Sequence, residues 1–223
     1  MSASNNAENV VLVIVREYLS KKPFFSIKDI VEFVNNRVRH NPDINKNRIE
    51  LIIKSLIKKR VIIPGSKLMK KDITRNITRN EIYKYIKQNP GRNINEIMKM
   101  HNLGSNLALW HLSVLEKFQF VRSKKFTNQC VFFKFDSDPN FDQLHYYMAN
   151  DIVQSIIKLM KNERPLKITD IADGLKKNHN TIKKYLEALT DLKLVEIEKE
   201  KSRNLYKLNK ERYLKAVKLV SRG

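Results

Sequence analysis

The stretch YLEALTDLKLVEIE, Tyr185–Glu198, decides the fold, because a helical leucine pattern passes through a charged turn into a β-prone run. Two other stretches have the same form, IIKSLIKKRVIIPG (Ile52–Gly65) and HLSVLEKFQFVRS (His111–Ser123). In each stretch the last helical leucine lies five residues before an apolar pair; these leucines are Leu56, Leu115 and Leu189. One supersecondary unit therefore occurs three times along the chain, and such a repeat has to be recognised before a fold is assigned.

Two further helices are predicted upstream of each repeated stretch. The first is amphipathic and covers Val10–Leu19, Glu81–Gln88 or Asp151–Met160. The second is shorter and follows a capping residue, which is Ser26, Asn93 or, in the third unit, Thr169 or a neighbour. Helix-breaking prolines separate the two helices: Pro23, Pro90 and Pro165. Each unit is predicted to run helix, helix, turn, helix, hairpin.

The predicted hairpins differ in clarity. The second unit turns at 127–129 between two β-prone runs, and the third turns at 201–204. In the first unit Pro64 and Gly65 follow the apolar run closely, which predicts a short hairpin. Connectors are expected at 66–79 and 136–142, and an amphipathic C-terminal helix at 210–220. The fold class is therefore mainly α with small β-hairpins, in three tandem domains at 1–75, 76–138 and 139–223.

The charge of the chain indicates an anionic partner. Forty-four Lys and Arg stand against 23 Asp and Glu, which gives a net charge of +21. Nucleic acid is the favoured partner class, and a surplus of solvated lysines is the alternative. No apolar run approaches the roughly 18 residues that a membrane span needs, and the N-terminal apolar run is unlike a signal peptide. The sequence therefore predicts a cytoplasmic protein without a membrane span.

Residue patterns that indicate catalysis or metal binding are missing from the sequence. The five histidines are scattered, and no glycine-rich phosphate loop or nucleophile motif occurs. We expect no enzyme activity, no catalytic residue, no metal, no cofactor and no small-molecule ligand. His111 is expected to have a structural role in its helix. Cys130, the one cysteine, is expected to be a small buried side chain in a strand, with a redox-sensing thiol as the alternative.

Two of the units resemble a known class of DNA-binding protein. Residues 79–125, with IYKYIKQNPG followed by HLSVLE, resemble archaeal winged helix-turn-helix regulators of the ArsR and MarR type. Residues 171–198 are similar to the same class, with Asn180, Thr181 and Ile182 at the start of the recognition helix. The first unit matches in outline. The resemblance implies winged-helix domains and control of transcription through double-stranded DNA.

The third recognition helix has the side chains expected of a DNA-contacting surface. Ile182, Leu186 and Leu189 are predicted to face the core. The predicted DNA contacts of this helix are Asn178, His179, Asn180, Thr181, Lys183 and Lys184. Asparagine can pair with adenine, and lysine can reach guanine or phosphate. An ordinary solvated helix face is the alternative.

The other DNA contacts are predicted on the hairpins and the first unit. Lys201 and Arg203 lie in the third hairpin, and Arg122, Lys124 and Lys125 lie in the second. Arg48, in the third helix of the first unit, is a candidate phosphate contact. The acidic Glu196, Glu198 and Glu200 alternate along the third hairpin, so the basic tip is expected to make its contacts.

The second recognition helix departs from the DNA-contacting pattern. Ala108, Leu112 and Leu115 can fill a core, but Leu107, Leu109 and Trp110 cannot all lie on the same stripe. We expect these three residues to contact another module or a second copy of the chain, with thymine methyl groups as an alternative. A homodimer is thus one option.

The leading hypothesis is a DNA-binding transcriptional regulator. A protein-interaction scaffold, like the tandem winged helices of ESCRT or polymerase-associated subunits, is the rival, favoured by Leu107, Leu109 and Trp110. A nucleic-acid coating protein without sequence preference is the third possibility.

Overall fold

The computed structural model describes residues 2–22, 25–161, 164–200 and 203–220. The described chain is mostly helical and contains two small antiparallel sheets. The helices are α1 Ser2–Lys21, α2 Ile27–Val38, α3 Lys46–Lys58, α4 Ile77–Gln88, α5 Ile94–His101, α6 Ser105–Lys117, α7 Asp142–Met148, α8 Asp151–Met160, α9 Ile168–Leu175, α10 His179–Asp191 and α11 Lys210–Val220. The strands are β1 Arg92–Asn93, β2 Val121–Phe126, β3 Gln129–Lys134, β4 Val195–Glu200 and β5 Arg203–Leu208.

Each sheet contains a two-stranded hairpin, and the chain segment just before a short helix pairs with one strand of that hairpin. In the first sheet β3 lies between β2 and β1, and Arg92 of β1 pairs with Phe132. In the second, β4 pairs with β5, and an isolated bridge joins Leu166 to Tyr206 of β5. Arg92 and Leu166 both lie two residues before the helix that follows, so the two hairpins are joined to their domains in the same way.

The chain divides into two compact regions. Region 1 comprises Met1–Tyr83 and Asn106–Phe120, and region 2 comprises Lys84–Ser105 and Val121–Gly223. A core cluster of region 1 consists of residues from α1, α2 and α3, from the turn before α3 and from the segment that follows α3, fully buried Ile49 and Ile53 among them. The large cluster of region 2 includes Phe133, Ile156 and Leu186. Removal of these apolar side chains from water is the main stabilising contribution in each region.

The third helix of each predicted repeat ends in the same way. Helices α3, α6 and α10 each have 13 residues. A residue with positive φ follows each helix, and these residues are Arg60, Gln119 and Lys193. The next amide donates to the carbonyl of the final leucine: Val61 to Leu56 at 2.8 Å, Phe120 to Leu115 at 2.9 Å and Leu194 to Leu189 at 2.8 Å. This is the Schellman arrangement, which ends a helix and redirects the chain.

The helix starts follow the predicted capping residues. Ser26 caps α2 in a capping box with Asp29, and Asn93 caps α5 in a box with Glu96. In the third unit, where the cap was predicted at Thr169 or a neighbour, Lys167 precedes α9, and the Asp170 carboxylate accepts the Lys167 amide at 3.2 Å. Side-chain and backbone groups at these positions satisfy amides that the first helical turn leaves without partners.

The predicted connectors contain more structure than expected. Helix α4 begins at Ile77, not at Glu81, and a 3-10 helix covers Lys70–Arg75 in the first connector. Asp72 holds this segment, since its carboxylate accepts from the Met69 amide at 3.2 Å and pairs with Arg16 at 2.8 Å. The second connector contains a 3-10 helix and leads directly into α7, which the sequence did not predict.

Cys130 and the segment after α3 both differ from what the sequence predicted. Cys130 is exposed, so the prediction of a buried thiol was wrong. It lies next to the hairpin turn opposite Lys125, beyond the part of β3 where Val131, Phe132 and Phe133 are buried. The described residues 59–69 contain no strand, so the short hairpin predicted for the first unit is absent there.

A buried ion pair joins the second hairpin to α7. The Arg122 guanidinium donates to both carboxylate oxygens of Asp142, at 2.8 and 2.7 Å. Asp142 is 1% exposed, and Lys124 approaches it at 3.3 Å. Arg122 also donates to Ser137, so its guanidinium is held from several sides. Arg122 was predicted to contact DNA, but its guanidinium is instead bound to Asp142 and joins β2 to α7.

Among the described residues, no helix is both long enough and apolar enough to cross a membrane.

Replacing Lys193 by Gly should raise the free energy of unfolding by about 0.5–1 kcal/mol, because glycine adopts positive φ without the steric penalty of a Cβ. Urea denaturation followed by circular dichroism measures the change. Glu187→Gly, inside α10, is the matched control and should lower stability by about 1 kcal/mol, since φ is helical there. Equal losses for both variants would contradict the role assigned to the Lys193 conformation.

Asp142→Asn should lower the free energy of unfolding by about 3 kcal/mol, because it leaves the charged Arg122 side chain, which is 19% exposed, without its buried carboxylate. The exposed Asp136, paired with Lys134 at 3.0 Å, provides the control. Asp136→Asn should cost less than about 1 kcal/mol, as surface ion pairs usually do. Thermal and urea denaturation of both variants test the difference, and similar losses would refute the buried pair as a stabilising element.

Candidate nucleic-acid interface

The turn between α9 and α10 presents the predicted recognition helix. Helix α9 ends at Leu175, and Lys176, which follows it, has positive φ. The Lys177 amide then donates to the Ala172 carbonyl at 2.9 Å. Helix α10 begins two residues later, at His179. A tight turn of this kind sets two short helices at a fixed angle, as in a helix-turn-helix.

The buried and exposed faces of α10 are those predicted from the sequence. Ile182, Leu186 and Leu189 are fully buried. The exposed predicted contacts are Asn178, His179, Asn180, Lys183 and Lys184, whereas Thr181 is half-buried. Periodicity alone predicted this division, because a helix packs one stripe against its core.

The two asparagines at the start of α10 have different roles. The carboxamide oxygen of Asn178 accepts the Asn180 amide at 2.8 Å, so Asn178 caps the helix. The carboxamide of Asn180 takes part in no hydrogen bond with another residue of the described chain. Asn180 thus keeps both a donor and an acceptor for a ligand.

Residues of α9, α10 and β5 line one open cleft of about 490 Å³. Three of them are predicted contacts: His179, Lys183 and Arg203. The sequence did not single out the other lining residues, which are Lys167, Ile168, Thr169, Asp170, Asn204 and Tyr206. The bridge between Leu166 and Tyr206 brings the start of α9 beside the hairpin, with backbone bonds of 2.8 and 2.9 Å. Such long-range pairing has no local signal in the sequence.

The acidic residues of β4 alternate with residues that face the cleft side of the hairpin. Asn204 and Tyr206, which line the cleft, pair across the hairpin with Lys199 and Ile197. Neighbouring residues of a strand point to opposite faces, so Glu196 and Glu198 lie on the other face. Glu198 pairs there with Lys207 at 3.4 Å, and Glu196 accepts from Asn209 at 2.6 Å. Glu200, at the end of β4, instead lies directly across the hairpin from the cleft-lining Arg203. The charged side chains that line the cleft are those of Lys167, Lys183 and Arg203 and of one acidic residue, Asp170.

The remaining predicted basic contacts differ in availability. Lys201 lies outside the described residues. Lys125 is exposed on β2, whereas Lys124 pairs with Asp142 and lies 5.2 Å from the Phe126 ring centre. The Arg48 guanidinium donates to the Asp43 carbonyl at 2.7 Å and so supports the turn before α3.

Helix α6 exposes the predicted apolar residues. Leu107, Leu109 and Trp110 are 46%, 53% and 50% exposed. The indole of Trp110 lies 5.0 Å from the Arg79 guanidinium, which is a cation–π contact. His111, by contrast, is buried, and burial together with nearby Arg79 lowers its pKa below the usual value for histidine. A structural role for His111 agrees with that environment.

Among the described residues, no three His, Cys, Asp or Glu side chains lie close enough together to hold a metal ion.

Comparison with known proteins identifies the character of the segment that contains α10. Residues 146–200 match the model of the family described as winged helix-turn-helix transcription repressor, HrcA DNA-binding. The chain is also 28% identical over 204 residues to an uncharacterized HTH-type transcriptional regulator of Methanocaldococcus jannaschii. That alignment covers 91% of this chain and 52% of the relative, so the chain spans about half the length of the curated relative that it matches. No solved structure matches the chain significantly. The segment that presents α9, α10 and β4 is thus similar to the DNA-binding domain of a transcription repressor.

Proposed function

We propose that this chain is a DNA-binding transcriptional regulator that contacts double-stranded DNA through α10 and the β4–β5 hairpin. The observation that carries the proposal is the cleft, where His179 and Lys183 of α10 lie with Arg203 of β5. Its location within, and directly after, a segment similar to a repressor's DNA-binding domain supports the same function. Asn180 and Lys184 add exposed groups that suit base edges and phosphates.

The proposed organisation is three tandem winged-helix modules at 1–75, 76–138 and 139–223, of the ArsR or MarR type. The three helices of 13 residues, each with the same C-terminal cap, support a threefold repeat. Lys124, Lys125, Lys201 and Arg48 are proposed to contribute phosphate contacts outside the cleft. The net charge of +21 favours such sequence-independent contacts.

A second function is favoured for α6. Its exposed Leu107, Leu109 and Trp110 occupy the positions where α10 exposes polar and basic residues. Apolar side chains gain little from phosphate, whereas burial against protein removes them from water. We propose that α6 is an assembly surface, with a homodimer as its simplest product.

Fluorescence anisotropy of a labelled random-sequence duplex, titrated with the protein across a salt series, tests the proposal for DNA. We expect binding whose logarithmic association constant falls steeply with the logarithm of salt concentration, because each phosphate contact releases counterions. The double variant Lys183→Glu/Lys184→Glu should bind at least about tenfold more weakly, with a slope shallower by about 2.

The matched control is Lys158→Glu/Lys218→Glu, which makes the same charge change on α8 and α11, outside the lining of the cleft. It should retain most of the affinity. Equal losses in the two double variants would indicate a nonspecific effect of net charge. Absence of duplex binding by the wild-type chain near physiological salt would refute the proposed function.

Sedimentation equilibrium tests the proposed assembly surface. Wild-type protein should form dimers, and Leu107→Ser/Leu109→Ser should be monomeric, because the substitutions remove exposed apolar area and leave the contact between Trp110 and Arg79 in place. The control Leu51→Ser/Leu214→Ser changes two other exposed leucines, on α3 and α11. A monomeric wild type would contradict the homodimer.

A further inference from the structure

Helices α3 and α10 correspond residue by residue from start to end. Both begin ten residues before the buried final leucine, Leu56 or Leu189. This alignment pairs Lys46 with His179 at the first position and Asn47 with Asn180 at the second. The aligned core residues are all fully buried: Ile49 with Ile182, Ile53 with Leu186, and Leu56 with Leu189. Asn47 and Asn180 therefore occupy the same place relative to the buried face.

The start of both helices is capped by an asparagine side chain. Asn45 accepts the Arg48 amide at 2.9 Å, just as Asn178 accepts the Asn180 amide at 2.8 Å. The capping asparagine is therefore used within the protein in each case. The following asparagine, Asn47 or Asn180, is exposed, and its carboxamide has no hydrogen-bond partner in the described part of the chain.

The surroundings of Asn47 also suit a polyanion. Lys46, directly before Asn47, is exposed. Lys58 and Arg60 are also exposed, at the far end of α3, roughly 16 Å along the helix axis from Asn47. The acidic Glu50 is neutralised by Lys54 at 2.6 Å. Arg48 is directed to the Asp43 carbonyl, so it holds the turn that presents the helix.

We propose that α3 is a second base-contacting helix, in which Asn47 pairs with adenine in the major groove as Asn180 does in α10. The proposal rests on the DNA-binding function proposed above. A carboxamide can form two hydrogen bonds with adenine at once: its oxygen accepts from the N6 amino group while its nitrogen donates to N7. The chain then recognises two separate adenine-containing subsites.

Helix α6 supplies the internal control for this assignment. Asn106 occupies the same second position and is exposed, but Leu107, Leu109 and Trp110 follow it. Gly104, which has no side chain, precedes the helix in place of Asn45 or Asn178. Asn106 is thus an asparagine of equal position without the polar surroundings that DNA requires.

Selection of bound sequences from a randomised duplex pool tests the proposal, with wild type, Asn47→Ala, Asn180→Ala and Asn106→Ala compared in parallel. We expect two adenine preferences in wild type, one lost in Asn47→Ala and the other in Asn180→Ala. Each loss should correspond to about tenfold discrimination, the usual value of one good pair. Asn106→Ala should select the wild-type sequences. Circular dichroism melting checks that all variants are folded.

The outcomes separate the two proposals. If Asn47→Ala selects the wild-type sequences while Asn180→Ala does not, α3 is not a base-contacting helix, and the proposed regulator function stands. If Asn106→Ala alters selection as Asn47→Ala does, the second residue of the helix acts through the structure and not through a base contact. The proposal that Asn47 pairs with adenine is then overturned. If wild-type protein binds no duplex, the proposed function fails and the second subsite fails with it.

Discussion

The buried final leucine of each third helix, together with the positive-φ residue that follows it, is the constraint on which the rest of the repeated unit depends. At Leu189 the carbonyl accepts the Leu194 amide while the side chain is fully buried. Lys193 turns the chain between them, so β4 can begin at Val195. Helix end, strand start and core packing are therefore fixed by a few adjoining residues. A shift of one residue would move the buried stripe of the helix away from the core.

Fixing one face of the helix leaves the opposite face free to vary. Helix α10 exposes amides and lysines, α6 exposes leucines and a tryptophan, and α3 exposes a mixture. The three helices share length and cap but differ in exposed chemistry, so the fold alone does not determine what each helix binds. Assignment of function therefore has to rest on the exposed side chains and the elements that surround them.

Local features were predictable from the sequence, and long-range contacts were not. Periodicity predicted α8 and α11 with their observed bounds, and cap chemistry predicted the starts of α2 and α5. The pair between Arg122 and Asp142 was not predictable, because 20 residues separate them and nothing nearby marks the carboxylate as buried. The same holds for the bridge between Leu166 and Tyr206, which brings the start of α9 beside the β4–β5 hairpin. Cys130 was assigned to a core because its neighbours are apolar, although the turn places it outside.

The distribution of charge on the β4–β5 hairpin links the fold to the proposed interface. Glu198 is paired with Lys207 on one face of the β4–β5 hairpin, and Lys199 lies on the face shared with the cleft residues. Strand alternation thus places Glu196 and Glu198 on the face opposite Lys199, whereas Glu200 lies across the hairpin from Arg203. An anionic ligand approaching the cleft meets Lys183 of α10 and Arg203 of β5, while Glu198 is paired with Lys207 on the opposite face. The hairpin register, and not its composition, therefore determines which charges an anionic ligand meets.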